Sequence, residues 1–81
     1  MKIQVLGPGC SRCKELARLT EEALRQLGLD FPVEKVTDLR AMGQFGIVTT
    51  PALVLDGVVK VSGRVPTTSD LMQILVDQVA K

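Results

Sequence analysis

Gly7-Pro8-Gly9-Cys10-Ser11-Arg12-Cys13-Lys14 joins a short alternating segment to a long helical one and carries both cysteines of the chain. On its N-terminal side, Lys2 to Leu6 alternates polar and apolar residues and reads as a strand. Gly7-Pro8-Gly9 then forces a turn. On its C-terminal side a helix is expected from about Ser11 to Leu27. Leu16, Thr20, Ala23, Leu24 and Leu27 recur there at three- and four-residue spacing. The opposite face carries Arg18, Glu21, Glu22 and Arg25, with Glu21 and Arg25 spaced as an i,i+4 pair. Gly28 is the expected stop.

Working outward, Val33 to Val36 reads as a second strand. Asp38 is placed to cap a short helix, roughly Leu39 to Gln44, that ends near Gly46. Ala52 to Leu55 is a buried strand. Asp56-Gly57 is a two-residue hairpin turn that sends Val58 to Val61 back antiparallel. Thr67 or Thr68 starts a last helix with Leu71, Ile74, Leu75 and Val79 on one face, and Pro66 keeps it from starting earlier. The order is β-α-β-α-β-β-α, an α/β chain. Its first β-α-β unit should be parallel and right-handed. A four-stranded mixed sheet is expected, covered by helices on both faces. The remaining apolar residues read as core. Met42 and Phe45 are among them; the alternative is an exposed patch near Pro51.

The 81 residues suffice for one domain, 1–81, and not for two. Ten basic and nine acidic residues leave a net charge of +1, which argues against a nucleic-acid face and against a polybasic membrane anchor. No His is present, so imidazole catalysis and His metal sites are excluded. Trp and Tyr are absent and Phe31 and Phe45 are the only aromatics, which disfavours base stacking. Unbroken apolar runs are too short to span a membrane. Met1 to Leu6 is too short for the apolar part of a signal peptide before Gly7-Pro8 breaks it. A cytoplasmic location is expected by default.

Cys10 and Cys13 form Cys-x-x-Cys. A disulfide across so small a loop removes little entropy from the unfolded chain and makes a poor staple. The spacing points instead to thiol chemistry or to half a metal site; the plain alternative is two buried cysteines acting as small hydrophobes. Cys10 falls where the turn becomes the helix. The first helical amides lack intrahelical partners, and they and the helix dipole favour a thiolate. Arg12 and Lys14 add positive charge nearby, unless they merely solvate the helix start. Cys13 follows one turn later, within reach of the first sulfur. The Cys10 thiolate would attack a disulfide, and Cys13 would then attack Cys10 and release the reduced product. Gly9 and its neighbours are small and would leave the Cys10 sulfur accessible.

Thr49-Thr50-Pro51 stands directly before the Ala52 strand. From the residues alone a trans proline closing a loop is expected, because only about 5–6% of X–Pro bonds in folded proteins are cis. The combination of Gly9-Cys10-Ser11-Arg12-Cys13 between a first strand and a long helix, with Thr50-Pro51 about forty residues later before a hairpin, resembles the thioredoxin and glutaredoxin superfamily. Gly7 to Lys14 and Ser62-Gly63-Arg64-Val65-Pro66 resemble in particular the small thioredoxin-like redox-active disulfide proteins of bacteria and archaea. Gly9 stands where thioredoxins usually carry Trp, and Ser11-Arg12 where glutaredoxins usually carry Pro-Tyr.

The resemblance implies a thioredoxin fold and a dithiol–disulfide oxidoreductase. It implies a cis Pro51 packed against the two sulfurs, with Thr50 offering its backbone to an extended substrate. Gly63 would let backbone approach the site. The redox-active Cys10–Cys13 disulfide would serve without cofactor or metal. The partners implied are a disulfide-containing protein and an upstream reductase or glutathione, for a monomer with no nucleic-acid or membrane partner. Two rival readings use the same cysteines. A soft-metal domain for copper or zinc would also place Cys-x-x-Cys between a first strand and helix, but such domains close on a strand rather than an amphipathic helix. A redox-dependent adaptor on the same scaffold would keep the pair without turnover.

Overall fold

Ile3–Leu6 (β1) is buried along its whole length, Gln4 included at 8% exposure. The alternation of Lys2 to Leu6 predicts one wet face; both are covered because β1 lies inside the sheet and packs on both sides. The computed structural model describes residues 1–9, 11–46 and 49–80, with the backbone alone for residues 39, 41 and 42.

The elements follow the expected order. They are β1, α1 (Ser11–Leu27), β2 (Val33–Val36), α2 (Leu39–Gln44), β3 (Ala52–Leu55), β4 (Val58–Ser62) and α3 (Thr68–Val79). The sheet runs β2-β1-β3-β4. β2 is parallel to β1, β3 is antiparallel to β1, and β4 is antiparallel to β3. The sheet is therefore mixed and four-stranded, as expected.

Two apolar layers sandwich it. On one face Leu16, Ala17, Ala23 and Leu24 of α1 and Leu71 and Leu75 of α3 meet Ile3, Val5, Leu53, Leu55 and Val61. On the other, Leu6, Ala52 and Val54 pack with their strand neighbours Val36 and Val59 and with Phe45, the residue that follows α2. Phe45 is thus core; the Met42 side chain lies outside the described residues.

Local chemistry sets the boundaries. Gly28 takes a φ of +71°. Its N–H donates to the Arg25 carbonyl, and the Leu29 N–H donates to the Leu24 carbonyl. This glycine-ended double bond closes α1 and tucks Leu29 against the core. Thr67 caps α3 by accepting from the Asp70 N–H at 3.1 Å. Asp56 and Gly57 both take positive φ, 50° and 82°, the conformation a two-residue hairpin needs.

Some expectations are corrected. Arg25 pairs with Glu22 one turn back rather than with Glu21, and Arg18 pairs likewise with Glu15. Val79 is 48% exposed, because α3 buries only its Leu71 and Leu75 stripe with Ile74 half-covered. Val58 and Val76 are exposed too, so not every apolar residue is core. β4 reaches Ser62, one residue beyond the expected end, and a bulge inserts Lys60 between the Val54–Val59 and Leu53–Val61 pairs.

Candidate active site

Register builds the site. Leu6 pairs with Val36 on one side and Ala52 on the other, and Ala52 pairs with Ser62. These four residues form the last row of the sheet. One step beyond them stand Thr37, Gly7, Pro51 and Gly63. Two backbone bonds extend the row past the strands: Gly7 N–H donates to the Val36 carbonyl at 2.9 Å, and Gly63 N–H to the Pro51 carbonyl at 2.8 Å. The site residues from three separate stretches of sequence thus meet at one edge of the sheet.

Cys13 lies in the first turn of α1 and is buried, 6% exposed. It packs directly over Gly7. A methyl group added to Gly7 would overlap Cys13 Sγ, stand 3.1 Å from its Cβ and 3.8 Å from Thr50 Cβ. Glycine is therefore what lets the thiol, the end of β1 and the Thr50 loop close on one another. The Thr50–Pro51 bond is cis, as the resemblance implies and against the trans form expected from the residues alone. Pro51 is fully buried and Thr50 half-buried.

Gly63 supports that loop from β4. Its φ is +78°, and a methyl there would stand 2.8 Å from Thr49 Oγ1. Thr49 Oγ1 and Ser62 Oγ lie 2.9 Å apart, and the Ser62 hydroxyl also reaches the Thr49 carbonyl at 3.2 Å. Gly9 takes a φ of +87° with open space where a side chain would project. Cys10 itself lies outside the described residues.

Arg12 and Lys14 are both exposed at the start of α1, whose first turn holds no acidic residue. Lys14 joins Cys13, Gly7 and Gly9 around a pocket of about 200 Å³, closed by Val5 below and by Lys35 and Thr37 at the end of β2. Arg12 is not part of that lining. Of the expected site residues, Gly9, Cys13 and Lys14 line the pocket, while Thr50 and Pro51 form the neighbouring loop with Gly63 beside it at the end of β4; Gly7 touches both groups and Arg12 joins neither. Sequence reasoning reads Gly7 only as part of a turn that leaves the Cys10 sulfur accessible, quotes Thr49 and Ser62 only within motifs, and does not reach Lys35. Lys35 carries one usable signal: on an alternating strand it falls on the same face as Val33, the face that α1 covers.

Comparison with known proteins identifies the family. A family model described as a thioredoxin domain matches residues 1–76. A thioredoxin of Methanothermobacter thermautotrophicus is 36% identical over 75 residues, covering 93% of this chain and 97% of that protein. A thioredoxin of Methanocaldococcus jannaschii is 27% identical over 73 residues, with 90% of this chain and 84% of that protein covered. A probable thioredoxin of Methanothermobacter marburgensis is 28% identical over 83 residues, with 98% and 96% covered. With its sheet order, its helix-borne cysteine and its cis proline on the adjoining loop, the chain belongs to the thioredoxin domain family and is a thiol–disulfide oxidoreductase.

Proposed function

We propose that this oxidoreductase reduces disulfides in protein or small-molecule substrates through a dithiol made of Cys10 and Cys13. The observation that supports it most is the packing of the Cys13 thiol onto Gly7, beside Thr50 and the cis Pro51 loop. Cys10 is the nucleophile. It immediately precedes Ser11, the first residue of α1, where unpaired amides and the helix dipole favour a thiolate. Arg12 and Lys14 add positive charge beside it.

The thiolate attacks one sulfur of the substrate, and the other substrate sulfur leaves and takes up a proton. Cys13 is the resolving thiol. It attacks Cys10, forms the Cys10–Cys13 bond and releases the second substrate thiol. Two electrons pass from protein to substrate, and an upstream reductase or glutathione restores the dithiol. No metal or other cofactor takes part. Thr50 and Pro51 form the edge on which an extended substrate segment docks, and Gly9 and Gly63 keep its path clear of side chains. The chain works as one domain, a monomer of the cytoplasm, where the thiol poise favours reduction.

Substitution separates the two sulfurs. Cys13→Ser should accumulate a mixed disulfide between Cys10 and a substrate, read as an added mass that dithiothreitol removes. Cys10→Ser should lose turnover altogether. Full turnover by Cys10→Ser would overturn the assignment of roles.

A further inference from the structure

We propose that the pocket beside Cys13 holds the carboxylate arm of a small anionic disulfide, with Lys14 and Lys35 as the groups that hold its charge. The inference rests on the exchange chemistry above and names a class of substrate for it. Its basis is the distribution of charge. The chain as a whole is nearly neutral, +1. The charged side chains lining this pocket are nevertheless both cationic, and they come from different elements, Lys14 from α1 and Lys35 from β2.

Among the described residues no acid neutralises them. The ion pairs there are Arg18–Glu15 and Arg25–Glu22, and neither involves these lysines. The first turn of α1 holds no acid. Glu34 lies on the opposite face of β2 by alternation. Asp38 accepts the Arg40 N–H at 2.9 Å as part of the start of α2 and does not line the pocket. Two such lysines lining one pocket together with the apolar Val5 suit an anion carried on a short aliphatic arm.

Size and position narrow the class. About 200 Å³ holds roughly six or seven waters, or one short acid arm, and excludes a folded peptide chain. Cys13 stands in the wall and Gly9, the neighbour of Cys10 in sequence, at the rim. An acid seated on the lysines therefore has its own sulfur close to Cys13 and to Gly9, the residue that Cys10 follows in sequence. The reaction is balanced within the pair: the protein dithiol becomes the Cys10–Cys13 disulfide, the substrate S–S bond breaks, and two small thiols leave with the two electrons and two protons.

The test uses fully reduced protein, with the reductant removed, and two disulfides, 3,3′-dithiodipropionate and the neutral 2-hydroxyethyl disulfide. Protein oxidation is followed by thiol trapping and mass spectrometry at low ionic strength. Each rate is divided by that of dithiothreitol with the same disulfide, which removes the difference in intrinsic reactivity. The wild type should prefer the dianion by about tenfold. Lys35→Met should reduce that preference by about fivefold, the scale of one solvent-exposed charge contact, and leave the neutral rate within about twofold. Salt at about 1 M should do the same to the wild type. The retained neutral rate shows that the variant is folded, and Lys35→Gln repeats the test with a polar side chain. Equal normalised rates for the two disulfides, or a preference untouched in both Lys35 variants, would overturn the inference alone. Reaction with neither disulfide would overturn the exchange chemistry and the inference with it.

Discussion

Gly7 is the residue on which the site closes. β1 ends at Leu6, and the chain must turn under the first helical turn without leaving a side chain between them. Gly7→Ala should therefore push Cys13 off its seat and disturb the Thr50 loop. An overpacked site of this kind costs about 1–3 kcal/mol. Urea unfolding should show that loss, and disulfide reduction should slow with it. Wild-type stability in Gly7→Ala would mean that Cys13 has another resting place. The Cys-x-x-Cys pair is legible in the sequence because its spacing marks it, and Thr50-Pro51 is legible only through the family resemblance, since from the residues alone it reads as a loop-closing proline. The Gly7–Cys13 contact is not legible, because it exists only once the end of β1 and the start of α1 are brought together. The same holds for Thr49 against Gly63, one just before β3 and the other just after β4, which meet through the β3–β4 pairing.

At the scale of elements, α2 offers the contrasting glycine. Gly43 lies inside this six-residue helix, and among the described residues a methyl there meets nothing within 4 Å. Gly43→Ala should raise stability by about 0.5–1 kcal/mol, through helix propensity and lower unfolded-state freedom, with no effect on thiol exchange. A destabilised Gly43→Ala in urea unfolding would contradict the open surroundings of this position. The elements are largely legible in the amino-acid sequence: caps and stops such as Gly28, Asp38 and Thr67 act within a few residues and need no tertiary context. The Lys60 bulge is not, since it depends on how β4 registers against β3. Val79 departs from its sequence pattern for a related reason. It shares a helical face with Leu75, yet α3 runs past the edge of the core before reaching it, and Val79 ends 48% exposed. The Arg25 partner is a choice between two glutamates at neighbouring spacings, and the one three residues back is used.

At the scale of the molecule, the end opposite the site is tied by one carboxylate. Asp56 in the β3–β4 turn accepts the Lys2 N–H at 2.8 Å and the Gln78 side-chain N–H at 2.9 Å, joining β1, the hairpin and α3. The Lys2 N–H, the Gln78 amide and the N-terminal charge hold its pKa below the ordinary value. A carboxylate depressed on folding lends stability above its unfolded pKa of about 3.9, and that stability is lost as pH falls through the lower folded value. Asn keeps an acceptor for Lys2 and tolerates the positive φ of this turn. Asp56→Asn should thus be less stable than the wild type at pH 7 and closer to it at about pH 3. A gap of the same size at both values would show that ionisation of Asp56 contributes nothing to stability.

The same architecture leaves the other end open for chemistry, where the row beyond the sheet carries Gly7, Pro51 and Gly63 beneath the first turn of α1. The claim to test first is that Cys10 and Cys13 form a reversible redox pair. Metal-free protein would be equilibrated in dithiothreitol redox buffers, its thiols trapped with an alkylating agent and counted by mass spectrometry. A reversible two-electron transition is expected, with a midpoint between about −300 and −120 mV, the range of catalytic dithiols. Two thiols that remain alkylatable under every oxidising buffer, or a disulfide that no buffer reduces, would contradict it.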